Sequence, residues 1–320
     1  AATIADVNLF RSDEPQLLAD APEGQTLLSD SGRYLYISGS RQIISLRSNQ
    51  ATSSAPEGAP SWRQNADELV GKGWLLSPQG RLADYQPLIG TTTASFYDED
   101  SGRFYYQAGE SVSYLDTASR SVSLVTSAED IRAFQAFRGQ LWLVANNGGR
   151  LVLESYSLPA GPLKPELELP AVGEYSFRPS GSPYLSLYDN LNKTLYLIDP
   201  SNPSRFVTVK GALSWQWVND DTLLYNNNWE IFRLSLDDNS SVLLTRVGTE
   251  IRDIVWNAKR NYLIFSTPSG LEVYDPRLET ITSLLQAEKI SAPALDADND
   301  LLYFWAERSG KSGAYRLLLQ

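Results

Sequence analysis

The chain of 320 residues contains no cysteine, no histidine and no methionine. Without cysteine it can form no disulfide, no thiolate nucleophile and no thiolate metal site. Without histidine it lacks the most common general base, so a Ser-His-Asp triad is excluded. Because a natural chain begins with methionine, we expect a mature or trimmed part of a longer protein, with any signal peptide or membrane anchor lying upstream.

Excess basic charge and long apolar runs are absent as well. The sequence has 27 basic and 38 acidic residues and a net charge of −11, so it repels polyanions and we expect no nucleic-acid partner. No apolar run approaches the roughly 18 residues of a membrane-spanning helix, so we predict no transmembrane segment. Hydrophobic residues make up 42% of the chain, which is enough for a folded core.

The sequence repeats one short pattern along its whole length. A tight polar turn precedes four or five residues rich in Tyr, Leu, Ile, Phe or Val, as in "SDSGRYLYIS" from Ser29 and "WNAKRNYLIFS" from Trp256. Eight copies occur, about 35 to 45 residues apart. Segments of alternating apolar and polar residues flank each copy, which is typical of β-strands separated by turns.

Each repeat predicts four strands, a to d. Together they predict an all-β fold, an eight-bladed β-propeller of four-stranded antiparallel blades, because a ring of blades covers both faces of every sheet. A seven-bladed ring is the alternative if residues 22–90, which include a Ser/Pro/Ala-rich linker, form one irregular blade. We predict a single domain over residues 1–320, with blades at residues 22–59, 60–90, 91–130, 131–173, 174–212, 213–250, 251–289 and 290–320.

The last repeat contains only three strands before the chain ends. "NLFRSDEPQLLADA" near the N-terminus is similar to the third and fourth strand segments of other repeats, of which "LEVYDPRLETITSLLQA" is the best match. We therefore predict that residues 15–21, at the end of an N-terminal closing segment 1–21, complete the last blade and bring both termini into one sheet.

The repeats resemble those of bacterial propellers of the TolB and WD-repeat (WD40-like) groups, whose "SPDGKYLLY" turns precede "DLDTG". Here "SDSGRYLYI" has the same form, and "YLDTASR" and "VYDPRLE" follow other turns. "AATIADVNLFRSDEPQLLADA" is similar to the junction before the propeller in extracytoplasmic PEGA-domain proteins. This PEGA-associated resemblance implies a protein of the bacterial cell envelope, or a secreted one, with an anchor upstream. It brings no catalytic residues.

One acidic stretch is a candidate metal site. "LDADND" places carboxylates at Asp296, Asp298 and Asp300, as in the first half of a calcium loop. It lacks the glycine and the distal bidentate glutamate of such loops, and other repeats have acidic turns at the same place. We therefore interpret it as a turn and predict no metal and no cofactor, with calcium as the alternative.

Aromatic and cationic residues near the d–a and b–c loops are candidates for ligand binding. In a propeller these loops form one face, and aromatic rings there can stack on sugars or hold a peptide. Packing between blades is the competing explanation for the tryptophans. The candidates are Trp62, Arg132, Trp215, Trp229 and Arg252.

These observations predict a non-catalytic, monomeric binding or scaffold propeller of the cell envelope that recognises a protein, peptide or glycan through that face. One alternative is a carbohydrate-active enzyme using channel carboxylates such as Glu174, Glu250 and Asp253, since glycosidases need two close acids. A purely structural spacer is the other alternative, and the sequence alone leaves the question of catalysis open.

Overall fold

A computed structural model of the chain describes residues 14–64, 66–90, 92, 94–158, 161–178 and 182–319. Within these residues, 32 strands form eight four-stranded antiparallel sheets. The only helix described, α1 (Gln86–Ile89), is a single turn, and no described helix is long and apolar enough to cross a membrane. The predicted all-β, eight-bladed propeller is confirmed. The seven-bladed alternative is wrong, because residues 22–90 hold two separate sheets.

The strands follow one another around the ring, and each blade is numbered by its place in the chain. The first strand, β1 (Gln16–Asp20), belongs to blade 8. Blades 1 to 4 comprise β2 (Thr26–Leu28), β3 (Tyr34–Ile37), β4 (Gln42–Ser45) and β5 (Gln50–Ser54); β6 (Ser61–Trp62), β7 (Leu69–Gly71), β8 (Trp74–Leu76) and β9 (Leu82–Asp84); β10 (Ser95–Asp98), β11 (Arg103–Ala108), β12 (Ser111–Asp116) and β13 (Val122–Ser127); and β14 (Glu129–Phe137), β15 (Gln140–Asn147), β16 (Arg150–Ser157) and β17 (Leu163–Glu168).

The second half of the ring repeats the arrangement. Blades 5 to 8 comprise β18 (Tyr175–Arg178), β19 (Leu185–Asp189), β20 (Thr194–Ile198) and β21 (Phe206–Lys210); β22 (Ser214–Trp217), β23 (Thr222–Asn226), β24 (Glu230–Ser235) and β25 (Ser240–Arg246); β26 (Ile254–Asn257), β27 (Tyr262–Thr267), β28 (Gly270–Asp275) and β29 (Thr280–Gln286); and β30 (Lys289–Leu295), β31 (Leu301–Arg308) and β32 (Lys311–Leu318) with β1.

The first strand of each blade lies nearest the axis. Innermost strands of consecutive blades contact one another, β2 with β6, β10 with β14, β14 with β18, β22 with β26, β26 with β30, and β30 with β2. Because each sheet has a neighbour on both sides, strands such as β19 and β20 are buried at every position. The hydrophobic clusters therefore join residues of adjacent blades, for example Leu197 with Leu223 and Leu224 with Phe265.

The closing strand was predicted correctly. β1 pairs antiparallel with β32, with Gln16 opposite Arg316 and Asp20 opposite Gly313. The indole Nε1 of Trp305 donates a hydrogen bond of 3.0 Å to the carbonyl oxygen of Ala21, so both ends of the described chain meet in blade 8. Residues 1–13 of the predicted closing segment lie outside the described residues.

The closure depends on a close approach of the backbones of β1 and β32. A substitution that adds one methyl group at this contact tests it. A Cβ added to Gly313 would lie 2.2 Å from the carbonyl oxygen of Ala19, so Gly313→Ala must displace β1. We expect the variant to lose roughly 1 to 3 kcal/mol of unfolding free energy in urea unfolding followed by tryptophan fluorescence. Gly248→Ala is the matched control, because its Cβ meets no atom within 4 Å. Equal stability of the two variants would contradict the pairing of β1 with β32.

Candidate functional site

The connections between strands lie on two opposite faces of the ring. In each antiparallel blade the first-to-second and third-to-fourth connections share one face, which we call the turn face. The second-to-third connections and the links between blades share the other, which we call the loop face. Examples on the loop face are residues 190–193, 211–213, 227–229 and 247–253. The loop face is the one that the sequence predicts to bind a ligand.

Four large apolar side chains are exposed on the loop face between blades 4 and 7. Val172 is 74% exposed, Leu191 52%, Leu213 39% and Trp229 59%. They lie in successive connections, in the link between blades 4 and 5, the loop of blade 5, the link between blades 5 and 6, and the loop of blade 6. We call these four residues the apolar row.

Hydrogen bonds fix the first half of the apolar row. The buried Asp189 carboxylate accepts bonds from the backbone N–H groups of Glu174, Leu191 and Asn192 at 3.0 to 3.2 Å. The side-chain amide of Asn192 donates to the carbonyl oxygen of Val172 at 3.0 Å. Burial alone would raise the pKa of Asp189, but these hydrogen bonds outweigh it and lower the pKa below its usual value.

A second network fixes the other half. The N–H of Leu213 donates to the carbonyl oxygen of Asn226 at 2.9 Å, and the N–H of Ile251 donates to that of Asn228 at 2.6 Å. The buried Asn226 side chain donates to the carbonyl oxygen of Ile251 at 2.8 Å. Asn228 has a φ of 90°, a left-handed conformation that asparagine tolerates better than most residues. The Trp229 ring thus projects from an ordered backbone.

Three of the five sequence candidates lie beside or within the apolar row. Arg132 donates from Nη1 to the carbonyl oxygen of Ala171, next to Val172, at 3.1 Å. Arg252 follows Ile251, whose N–H reaches the Trp229 loop. The structure therefore places Trp229 and Arg252 in two hydrogen-bonded connections at one end of the row, and Arg132 at the other end.

The other two candidates are half-buried between blades. Trp62 donates from Nε1 to the carbonyl oxygen of Leu27 at 2.8 Å, and its ring lies 6.5 Å from that of Tyr34. The Trp215 ring lies 4.9 Å from that of Tyr188. Both tryptophans hold neighbouring blades together and lie outside the apolar row.

The sequence analysis missed Val172, Leu191 and Leu213. The sequence feature that could have identified them is a large apolar residue inside a turn segment. The three segments are "PAVGEY", "YDNLNKT" and "KGALSW". Turns favour Gly, Pro, Asn, Asp and Ser, so a large aliphatic residue in such a segment is unexpected unless it packs or binds.

The acidic turn of blade 8 is occupied by protein contacts. An Asp296 carboxylate oxygen accepts the N–H groups of Asp300 and Leu301 at 2.8 and 2.9 Å. Asp300 pairs with Lys259 at 2.5 Å and with Arg260 at 2.9 Å, and the hydrogen bond from Lys259 lowers the pKa of Asp300. Across the described ranges, no group of three or more acidic side chains is placed to hold a metal ion.

The acids named for the enzyme alternative are divided between two links of the ring. Glu174 lies between blades 4 and 5, whereas Glu250 and Asp253 lie between blades 6 and 7. Glu250 is 3.9 Å from the Arg252 guanidinium. Asp253 accepts hydrogen bonds from the Ser266 hydroxyl and the Ala292 N–H at 3.2 and 3.3 Å. These contacts give Glu250 and Asp253 a structural role in the link between blades 6 and 7.

Burial raises the pKa of two carboxyl groups in the described chain. One is Glu99 of blade 3, whose shift is partly offset by Arg63, and the other is Glu272 of blade 7. They belong to distant blades, so they cannot act as the two close acids of a glycosidase.

Two cavities lie on the turn face, away from the apolar row. One of about 440 Å³ is lined by Tyr184, Asp199 and Asp221 among others. The second, of about 510 Å³, lies between blades 6 and 7. The apolar row is thus an exposed surface and is separate from both cavities.

No protein-family model and no curated protein matches the sequence. Solved structures are similar in fold. A eukaryotic initiation factor aligns over 93% of this chain and 90% of its own, with 10% identity and a TM-score of 0.61. An oligogalacturonate lyase in complex with manganese covers 97% and 96%, with 12% identity and a TM-score of 0.51. At such identities the likeness shows the propeller fold alone, and a fold by itself does not identify a function.

The Asp189 network can be tested through its pH dependence. The pKa of Asp189 is lower in the folded state, so its contribution to stability is present above about pH 4 and is lost as the pH falls through the folded pKa. We expect Asp189→Asn to lose about 1 to 3 kcal/mol of unfolding free energy at pH 7 and to show a smaller deficit at pH 3. Urea unfolding at both pH values measures this, with exposed Asp100→Asn as the control. A deficit that does not change with pH would contradict the network.

Proposed function

We propose that this chain is a non-catalytic binding propeller of the bacterial cell envelope that recognises a protein or peptide through its loop face. The observation that carries the proposal is the apolar row, Val172, Leu191, Leu213 and Trp229, exposed on neighbouring connections of that face.

The apolar row has the composition of a protein interface. Single exposed apolar side chains are common on soluble proteins, but contiguous apolar surface with a polar rim marks interaction sites. Trp229 offers a large aromatic anchor, and Arg132 and Arg252 lie at the two ends. Tryptophan and arginine are the residues most enriched among those that dominate binding energy.

The fixed conformation of the loops favours binding over a purely structural role. Hydrogen bonds at Asp189 and Asn226 hold both halves of the row before any partner arrives, which reduces the entropy lost on association. A structural spacer gives no reason to keep such side chains in water. Three of the four side chains are aliphatic, which favours a protein or peptide partner over a glycan, since sugar recognition relies on aromatic stacking.

The placement in the envelope rests on the N-terminal resemblance. The sequence of residues 1–21 is similar to the segment before the propeller in PEGA-domain proteins, and the repeats are similar to those of TolB-like propellers. The absence of cysteine and the acidic net charge of −11 are compatible with this location. An anchor upstream would hold the propeller at the membrane and leave the loop face free to meet a partner.

Site-specific photo-crosslinking tests the face that binds. We would place p-benzoylphenylalanine at position 191 or 229 of the envelope-targeted protein, and at position 124 as the control. Leu124 is 65% exposed on the outer strand of blade 3. We expect protease-sensitive adducts of discrete mass from positions 191 and 229 but not from 124. Adducts from 124 alone, or none from the loop face, would overturn the proposal.

Substitution of the anchor gives a quantitative prediction. With the crosslinker at position 213, Trp229→Ala should reduce the adduct about tenfold or more, because an aromatic anchor contributes about 2 kcal/mol or more to binding. The matched control is Leu124→Ser, which should leave the adduct unchanged. If both variants give the wild-type yield, Trp229 is not an anchor.

A further inference from the structure

Blade 6 carries a charged residue where other blades are sealed by apolar ones. The fourth residue of the third strand is Leu153 in blade 4, Leu197 in blade 5, Val273 in blade 7 and Ala314 in blade 8, and all four are buried. In blade 6 the same position of β24 is Arg233, which is exposed. A cation thus replaces the side chain that closes the space between blades elsewhere.

A cleft of about 510 Å³ is found where Arg233 lies, between blades 6 and 7. Arg233 is paired with Leu224 on one side and with Val242 on the other, so the three side chains form one row across the sheet face. Trp256 of blade 7 contributes to the lining, as do polar groups from both blades. The cleft size lies within the range of small-ligand sites.

The guanidinium of Arg233 has no hydrogen-bond or ion-pair partner in the described parts of the chain. Two neighbouring arginines are paired, Arg246 with Glu230 and Arg277 with Asp275. The Asp238 carboxylate also lines the cleft, where it accepts hydrogen bonds from the N–H and the hydroxyl of Ser240. Arg233, beside Leu224, Val242 and Trp256, would gain from a bound anion, and carboxylate matches the planar fork of arginine best.

We propose that the cleft between blades 6 and 7 binds an extended peptide that carries a carboxylate next to an apolar side chain. Arg233 takes the carboxylate, and Leu224, Val242 and Trp256 cover the apolar group. The Thr222 hydroxyl and the Asn261 side-chain amide in the lining favour a peptide over a fatty acid, because a peptide backbone can hydrogen-bond to them.

This site is independent of the apolar row. The cleft opens beside turn-face residues such as Asn219, Asn261 and Pro276, whereas Trp229 lies on the loop face. Loss of binding in the cleft would therefore leave the proposed function of the loop face standing, and the reverse also holds.

The test uses an array of N-acetylated, C-terminally amidated hexapeptides, with Leu, Val or Phe at position three and Asp, Glu, Asn or Gln at position four. We expect the wild-type protein to bind Asp and Glu peptides at least tenfold better than their amide counterparts. Arg233→Leu should abolish this preference, while Trp229→Ala should keep it. Arg47→Leu, which removes an exposed cation from the turn face of blade 1, is the matched control and should also keep it.

Arg233→Leu should fold normally, because buried leucines stand at this position in blades 4 and 5, and its unfolding midpoint should equal or exceed that of the wild type. Three results would overturn the proposal. They are no preference for acidic peptides in the wild type, an unchanged preference in Arg233→Leu, or a change in tryptophan fluorescence when decanoate is added but not when any of the peptides is added.

Discussion

The structure depends on the closure of a ring of sheets. A single four-stranded blade exposes two apolar faces, and each face is covered only if another blade lies on both sides. Seven junctions follow from the order of the chain, but the eighth must be made between its two ends. The pairing of β1 with β32, with Leu18 packed near Leu35 and Tyr303, makes that junction. Without it, the outer strand of blade 8 would be missing and one face of the ring would lose its cover.

Closure also explains where functional residues can lie. The side chains of the strands pack between blades. Side chains that are free to bind a ligand are therefore confined to the connections and to rare strand positions that differ from the repeat. Blade 6 shows both cases. Trp229 and the adjacent Leu213 are apolar residues in connections that are normally polar, and Arg233 is a charged residue in a strand position that is normally apolar. Departures of this kind from the local pattern are expected at functional sites.

The fold was predictable from the sequence because strands and turns are local signals. Alternation of apolar residues and the polar turn in "SDSGRYLYIS" need no knowledge of distant residues, and the missing fourth strand of the last repeat identified the N-terminal segment. The site was only partly predictable. Trp62 and Trp215 were placed correctly in first strands, but their packing against Tyr34 and Tyr188 depends on how two blades meet.

Other features could be predicted only with knowledge of the register between strands or of the contacts between repeats. That Arg233 occupies a position held by apolar residues in other blades is seen only when the third strands are aligned residue by residue with their paired strands. The Asp300 carboxylate looked like half of a calcium loop, whereas its partners Lys259 and Arg260 come from the preceding blade. Long-range contacts of this kind leave no periodic mark in the sequence.

The central claim is that a closed ring holds a preformed apolar surface on its loop face, and hydrogen–deuterium exchange of the isolated protein tests it most directly. The N–H groups of Ala21, Leu191, Val247 and Ile251 all donate hydrogen bonds in the closing strand or the loop face. The account predicts that these amides exchange far more slowly than in an unstructured peptide, with that of Ala21 approaching the rate of the inner strands. Exchange of these amides at unprotected rates, while the strands of blades 4 to 7 stay protected, would contradict it.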